Sequence, residues 1–132
     1  IPVMGHVGFT PQSVHALGGF KVQGRGEDAE KVLRDCLAIE QAGAFAVVLE
    51  MVPADLAERI TQQLSIPTIG IGAGNGTDAQ ILVWTDFAGL GEKSPSFAKQ
   101  YMNLRANLLE AAQSYRNEVA SGAFPAADKS FS

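Results

Sequence analysis

The sequence predicts a parallel α/β fold. Three observations carry that expectation. Short apolar runs of strand length alternate with amphipathic helical stretches. Phe45 to Leu49 (FAVVL) is apolar at every position, as in a parallel strand buried on both faces. Gly43, Gly122 and Pro125 stand where helices should stop, and Pro53 where one should start. About four βα units and a C-terminal helix are expected.

Taken in order, Ile1 to Gly5 (IPVMG) is short and apolar and reads as the first strand. Glu27 to Ala42 reads as a helix, with Ala29, Val32, Leu33, Cys36 and Leu37 on one face. Gly43 follows at the C′ position. Phe45 to Leu49 is the second strand. Pro53 suits the first turn of the next helix, whose apolar face is Leu56, Ala57, Ile60 and Leu64. Ile66 to Ile71 (IPTIGI) is the third strand. Thr77 or Asp78 is placed to cap a short helix carrying Ile81 and Leu82. Val83 to Leu90 is ambiguous and is a candidate fourth strand. Phe97, Tyr101, Leu104, Leu108, Ala112, Tyr115 and Val119 follow helical spacing, with Ser96 placed to cap and Gly122 then Pro125 to stop. Residues 123–132 read as an irregular tail of a single domain spanning 1–132.

Composition bounds the function. The chain has 132 residues, 46% hydrophobic and 18% charged, with 10 Lys plus Arg against 14 Asp plus Glu, a net charge of −4. That balance speaks against a nucleic-acid partner, which a basic stripe would mark. No apolar run approaches the ~20 residues of a membrane helix, so no membrane partner is expected. Cys36 is the single cysteine, which excludes an internal disulfide and fits a reducing, cytoplasmic setting. The sequence opens at Ile1, inside an apolar run and without an initiator Met, as expected of a chain that begins in mid-domain. A closed (β/α)8 barrel takes ~250 residues, and ~200 at its lower limit. The expectation is therefore a small open sheet or about half a barrel.

Ligands of parallel α/β proteins meet the carboxyl ends of the strands. Glu50 ends the run Phe45 to Leu49, between an apolar sheet and a loop, and suits proton transfer there. A structural ion pair is the competing reading. His6 ends the first apolar run and can bind an anionic substrate or shuttle a proton; a structural histidine is the alternative. Phe9 to Gly26 is a long loop holding Gly18, Gly19, Lys21, Arg25 and other glycines, either a functional border or a surface excursion. Gly70-Ile71-Gly72-Ala73-Gly74-Asn75-Gly76 is a glycine-rich βα turn whose backbone N–H groups can cradle an anion, and it lacks the acidic partner of a dinucleotide fingerprint. Cys36 lies on an apolar helix face, a core position.

Several segments together resemble the ketopantoate hydroxymethyltransferase family. They are Pro2-Val3-Met4-Gly5-His6-Val7-Gly8, Thr10-Pro11-Gln12-Ser13, Gly18-Gly19-Phe20-Lys21-Val22-Gln23-Gly24-Arg25, Val48-Leu49-Glu50-Met51-Val52-Pro53, Pro67 to Gly74 and Asp78 to Val83. The run from Gly18 to Arg25 is the most specific. A weaker likeness continues through Pro95 to Tyr101 and Gly122 to Pro125. Ala79, Thr85 and Lys129 depart from the family's usual Gly, His and His.

The resemblance implies a (β/α)8 barrel of which this chain is about the C-terminal half. It implies hydroxymethyl transfer from 5,10-methylenetetrahydrofolate, the cosubstrate, to 3-methyl-2-oxobutanoate, giving 2-dehydropantoate for pantothenate and coenzyme A. It implies Mg2+ to stabilise the enolate, with ligands outside this chain, so that no metal site is expected among these residues. Glu50 matches the family's catalytic proton acceptor, and His6 a substrate-binding pocket residue. A small 2-oxo acid and other copies of the chain are the implied partners. Two alternatives stand beside this reading. One is another magnesium-dependent oxo-acid barrel, of the phosphoenolpyruvate mutase or isocitrate lyase type, against which the Gly18 to Arg25 run speaks. The other is an inactive half-barrel.

Overall fold

Four strands form one all-parallel sheet in the order β1-β2-β3-β4: β1 Met4–Gly8, β2 Ala46–Glu50, β3 Thr68–Ile71 and β4 Ala79–Gln80. This computed structural model describes residues 1–131. Helix α1 (Ala29–Gln41) connects β1 to β2, and α2 (Ala54–Gln63) connects β2 to β3. Sequential parallel strands with helical crossovers build an arc of a (β/α)8 barrel. The chain divides into two compact units, Ile1–Leu82 and Val83–Ser132.

In the first unit, register decides which side chains face the helices. Gly5 pairs with Val47 and Val7 with Leu49; Val47 pairs with Thr68 and Leu49 with Gly70. Val7, Val47 and Leu49 pack with Val32, Leu33 and Cys36 of α1 and Leu56, Ala57 and Ile60 of α2. Fully burying a side chain the size of Leu49 or Ile60 stabilises by about 1.5–3 kcal/mol. Alternation then directs His6, Val48, Glu50 and Ile69 to the opposite face of the sheet. Gly5 is required on the helix side, because an added Cβ would sit 2.5 Å from Ile39 Cγ2.

Helix α1 closes as expected. Gly43 is left-handed at φ +89, its N–H donates to the Glu40 carbonyl, and the Ala44 N–H reaches back to the Ile39 carbonyl. The Glu40 side chain accepts from the N–H groups of Ser65 (2.6 Å) and Ile66 (3.2 Å), tying this helix end to the segment entering β3. Those backbone donors, Ser65 first, hold the Glu40 carboxyl below its ordinary pKa.

Several elements differ from the sequence expectation. β1 begins at Met4 rather than Ile1, because its partner β2 spans Ala46–Glu50 and pairing sets both ends; His6 therefore lies inside the strand. Pro53 precedes α2 as its cap residue instead of sitting in its first turn. Where a short helix was expected after Thr77, Ala79–Gln80 pairs with Ile69 and Gly70 as β4, because the Asp78 carboxylate is taken by Thr68 instead of capping. The candidate fourth strand at 83–90 is instead a helical turn, α3 (Trp84–Phe87), with the Phe87 N–H on the Val83 carbonyl.

In the second unit, the long helix α4 (Leu104–Ser121) starts eight residues after Ser96 (104 − 96 = 8). Asn103 is the cap, accepting from the Ala106 N–H at 3.1 Å. Phe97 and Tyr101 lie outside the helix. The Tyr101 and Leu104 N–H groups instead donate to the Phe87 and Ala88 carbonyls, which commits that segment to α3. Gly122 ends α4 in a left-handed conformation (φ +75), and Tyr115 meets Phe124 edge to face at 5.4 Å. Beyond it, among the described residues, only a 3-10 turn, Ala127–Lys129, is regular.

Candidate active site

Glu50 is the last residue of β2 and His6 the middle residue of β1. His6 pairs across the ladder with Val48, and Glu50 with Gly8. The two side chains are thus diagonal neighbours on the sheet face turned away from α1 and α2. There His6 Nε2 lies 2.9 Å from Glu50 Oε2. An ionised carboxylate only accepts, so the contact takes the tautomer with the proton on Nε2 when Glu50 is ionised. Glu50 is the more enclosed of the two, with 15% of its side chain exposed against 36% for His6. The pair presents an oriented carboxylate at a strand end with an imidazole behind it, an arrangement able to accept a proton from a bound carbon acid.

The backbone around Glu50 is held from several directions. Its carbonyl accepts from the Phe9 N–H at 2.8 Å, just past the end of β1. Gly8 (φ +93) makes that approach possible, since a Cβ there would overlap the Glu50 carbonyl oxygen. Met51 donates its N–H to the Ile71 carbonyl and accepts from the Gln23 N–H, each at 2.9 Å.

The long loop 9–26 is thereby anchored at both ends beside Glu50. Phe9 is buried and stacks on exposed Phe20 with ring centroids 4.9 Å apart. Lys21 and Arg25 are solvent-exposed and form none of the described ion pairs. Between β1 and α1 lies a groove of about 440 Å3 lined by His6, Gly8, Thr10 and Asp35, among others. A hollow of similar size, about 460 Å3, opens beside Arg25, Asp55 and Arg59. It is lined by neither His6 nor Glu50, and the groove at His6 is not lined by Glu50.

The glycine-rich turn after β3 is fastened by Gln80. Its Nε2 donates to the Gly74 carbonyl (2.9 Å) and to Thr77 Oγ1 (2.7 Å), while Gly74 at φ +75 lies against Ala54. One feature had no signal in the sequence. Thr68 is fully buried; its N–H and hydroxyl both donate to Asp78 Oδ2, at 2.8 and 3.0 Å, and its oxygen accepts from the Asp78 N–H at 3.2 Å. The Thr68 N–H, followed by its hydroxyl, holds the Asp78 carboxyl below the ordinary range. Cys36 is buried, and burial followed by the nearby Asp35 charge pushes its thiol up to about 12.

Among the described residues no group of three or more His, Cys, Asp or Glu side chains is placed to hold an ion. Glu50 meets a histidine rather than a second carboxylate. The described residues therefore do not form a magnesium cradle by themselves.

Residues 1–127 match the family profile described as ketopantoate hydroxymethyltransferase. The chain belongs to the ketopantoate hydroxymethyltransferase family. Among similar curated proteins, a 3-methyl-2-oxobutanoate hydroxymethyltransferase of Leifsonia xyli subsp. xyli is 63% identical over 99% of this chain and 48% of that protein. Proteins of the same name from Corynebacterium efficiens and Frankia casuarinae are 60% and 58% identical, over 99% of this chain and 49% and 45% of theirs. The chain thus spans about half the length of the relatives it matches. Within a ketopantoate hydroxymethyltransferase chain, the two residues that sequence reasoning singled out are 44 positions apart and in hydrogen-bond contact. What the sequence did not indicate is the backbone joint of Gly8, Met51 and Gln23. The glycine-rich runs announce bends but not their partners.

Proposed function

We propose that this chain is the base-bearing part of an enzyme that moves a hydroxymethyl group from 5,10-methylenetetrahydrofolate to 3-methyl-2-oxobutanoate, forming 2-dehydropantoate. The observation that carries the reading is the His6–Glu50 pair at 2.9 Å, at a strand end, in a chain of this family. In this reading Glu50 takes the proton from C3 of the oxo acid. The C3–H electron pair moves toward the C2 carbonyl, and C3 then bonds to the one-carbon unit. Overall one water is taken up, because a methylene held by two nitrogens becomes a hydroxymethyl group. His6 donates to Glu50 Oε2, and Oε1 is the oxygen that takes the proton. Turned away from Glu50, the same imidazole would instead bind the carboxylate of the oxo acid.

Magnesium and folate enter this reading through the resemblance, with their contacts outside these residues. The complete protein is expected to be a cytoplasmic homo-oligomer. This chain alone is expected to be inactive. No helix among the described residues is long and apolar enough to cross a membrane.

The test is hydrogen–deuterium exchange at C3 of 3-methyl-2-oxobutanoate by the intact protein, followed by proton NMR. Glu50→Gln should slow exchange by about 100-fold or more, the usual contribution of a positioned base. Exchange at the wild-type rate in that variant would remove Glu50 from the role.

A further inference from the structure

Met51 directly follows the proposed base. Among the described residues it is the only one other than glycine with a positive φ, at +51. Left-handed backbone is uncommon for a residue with a side chain, and it persists where the surroundings over-determine it. Here the surroundings do so on three sides. The Glu50 carbonyl accepts from Phe9, the Met51 N–H donates to Ile71, and the Met51 carbonyl accepts from Gln23. The first two bonds clamp the Glu50–Met51 peptide between the ends of β1 and β3.

The third bond depends on the left-handed turn. In an extended parallel strand the N–H and C=O of one residue point to the same neighbour. The Met51 N–H points to β3, yet its carbonyl meets Gln23 in the long loop. Gln23 is itself seated. Gly24 beside it has φ +81, and a Cβ there would lie 2.7 Å from Leu56 and 3.1 Å from Val32. A chain of fixed points therefore runs from the α1–α2 core through Gln23 and Met51 to Glu50.

We propose that Met51 is a positioning residue: its left-handed backbone, not its side chain, holds the Glu50 carboxylate against His6 and ties the loop 9–26 to it. The proposal rests on Glu50 acting as the base, and its test separates the two. Met51 is replaced by Gly, Asn, Leu and Val in the intact protein. Gly and Asn adopt the left-handed region readily, Leu keeps a flexible side chain of similar size, and β-branched Val resists that backbone. C3 exchange and the 15N resonance of His6 Nε2 are both read.

Gly, Asn and Leu should keep exchange within about threefold of wild type and leave the His6 resonance in place. Val should lower kcat about tenfold or more with KM within about twofold, and should move the resonance to its free-imidazole position. If Val does not fold, Gly carries the test: retained exchange supports the proposal and lost exchange overturns it. Val indistinguishable from wild type in both readouts overturns it, as does Gly impaired to the same degree as Val. Should Glu50→Gln exchange normally while Val alone displaces the His6 resonance, the base assignment fails and the positioning role of Met51 stands.

Discussion

Gly8 and Gly43 have nearly the same backbone, φ +93 and +89, but different surroundings. An added Cβ at Gly43 meets nothing within 4 Å. At Gly8 it overlaps the Glu50 carbonyl oxygen and comes within 2.7 Å of Val52 Cγ2. Alanine at either position carries the left-handed penalty of roughly 1–2 kcal/mol. Gly43→Ala should cost about that and no more. Gly8→Ala must also displace a carbonyl that holds the N–H of buried Phe9. Overpacking and a weakened buried hydrogen bond add roughly 2–3 kcal/mol. The two variants should thus differ by about 2 kcal/mol or more, or about 1 M in urea midpoint for an m-value near 2 kcal/mol/M. Equilibrium urea unfolding of the intact protein reads this, and C3 exchange follows the same ranking, with Gly43→Ala near wild type. Equal midpoints would show that backbone conformation alone governs both glycines, and that Gly8 does not set the approach of β1 to Glu50.

Two further predictions concern groups outside the site. The Thr68 donors lower the Asp78 pKa in the folded chain, so the clamp stabilises fully above the ordinary carboxylate value near 3.9 and is lost as pH falls below it. The urea-midpoint difference between wild type and Asp78→Asn should be flat from pH 7 to about pH 4 and shrink at lower pH; a difference that persists unchanged to pH 3 would refute the clamp. With the Cys36 thiol pushed up to about 12 and buried, only about one in ten thousand molecules carries the thiolate at pH 8. Peptide mapping after native alkylation at that pH should find Cys36 unmodified until the protein unfolds, and prompt labelling would contradict its core placement.

The elements most legible in the sequence are those whose burial imposes a period. The FAVVL run supplied four of the five residues of β2, with Phe45 left exposed before it and Glu50 added at its end, and the apolar faces of α1 and α2 meet it in the core through Val32, Cys36, Leu56 and Ile60. Gly43 and Gly122 marked helix ends because a left-handed residue there favours glycine. Glu50 was legible as a carboxylate ending an apolar strand. Less legible were the segments whose local pattern suits two structures. Thr77 and Asp78 have the chemistry of a helix cap, yet Asp78 closes on buried Thr68 ten residues earlier. Ser96 has the chemistry of a cap too, but the backbone after it is committed to the α3 turn and Asn103 takes the role.

By itself the sequence determined the class of fold, the two central helices with the strand between them, the family, and which carboxylate stands at a strand end. These follow from composition, periodicity and local motifs, which record how each residue meets water and its near neighbours. Tertiary structure decided where β1 begins, that β4 is a strand, and that His6 reaches Glu50. It also decided that Met51 turns left-handed to meet Gln23. Each of these depends on register between segments distant in sequence, and register is settled by pairing whole strands, which no single segment encodes.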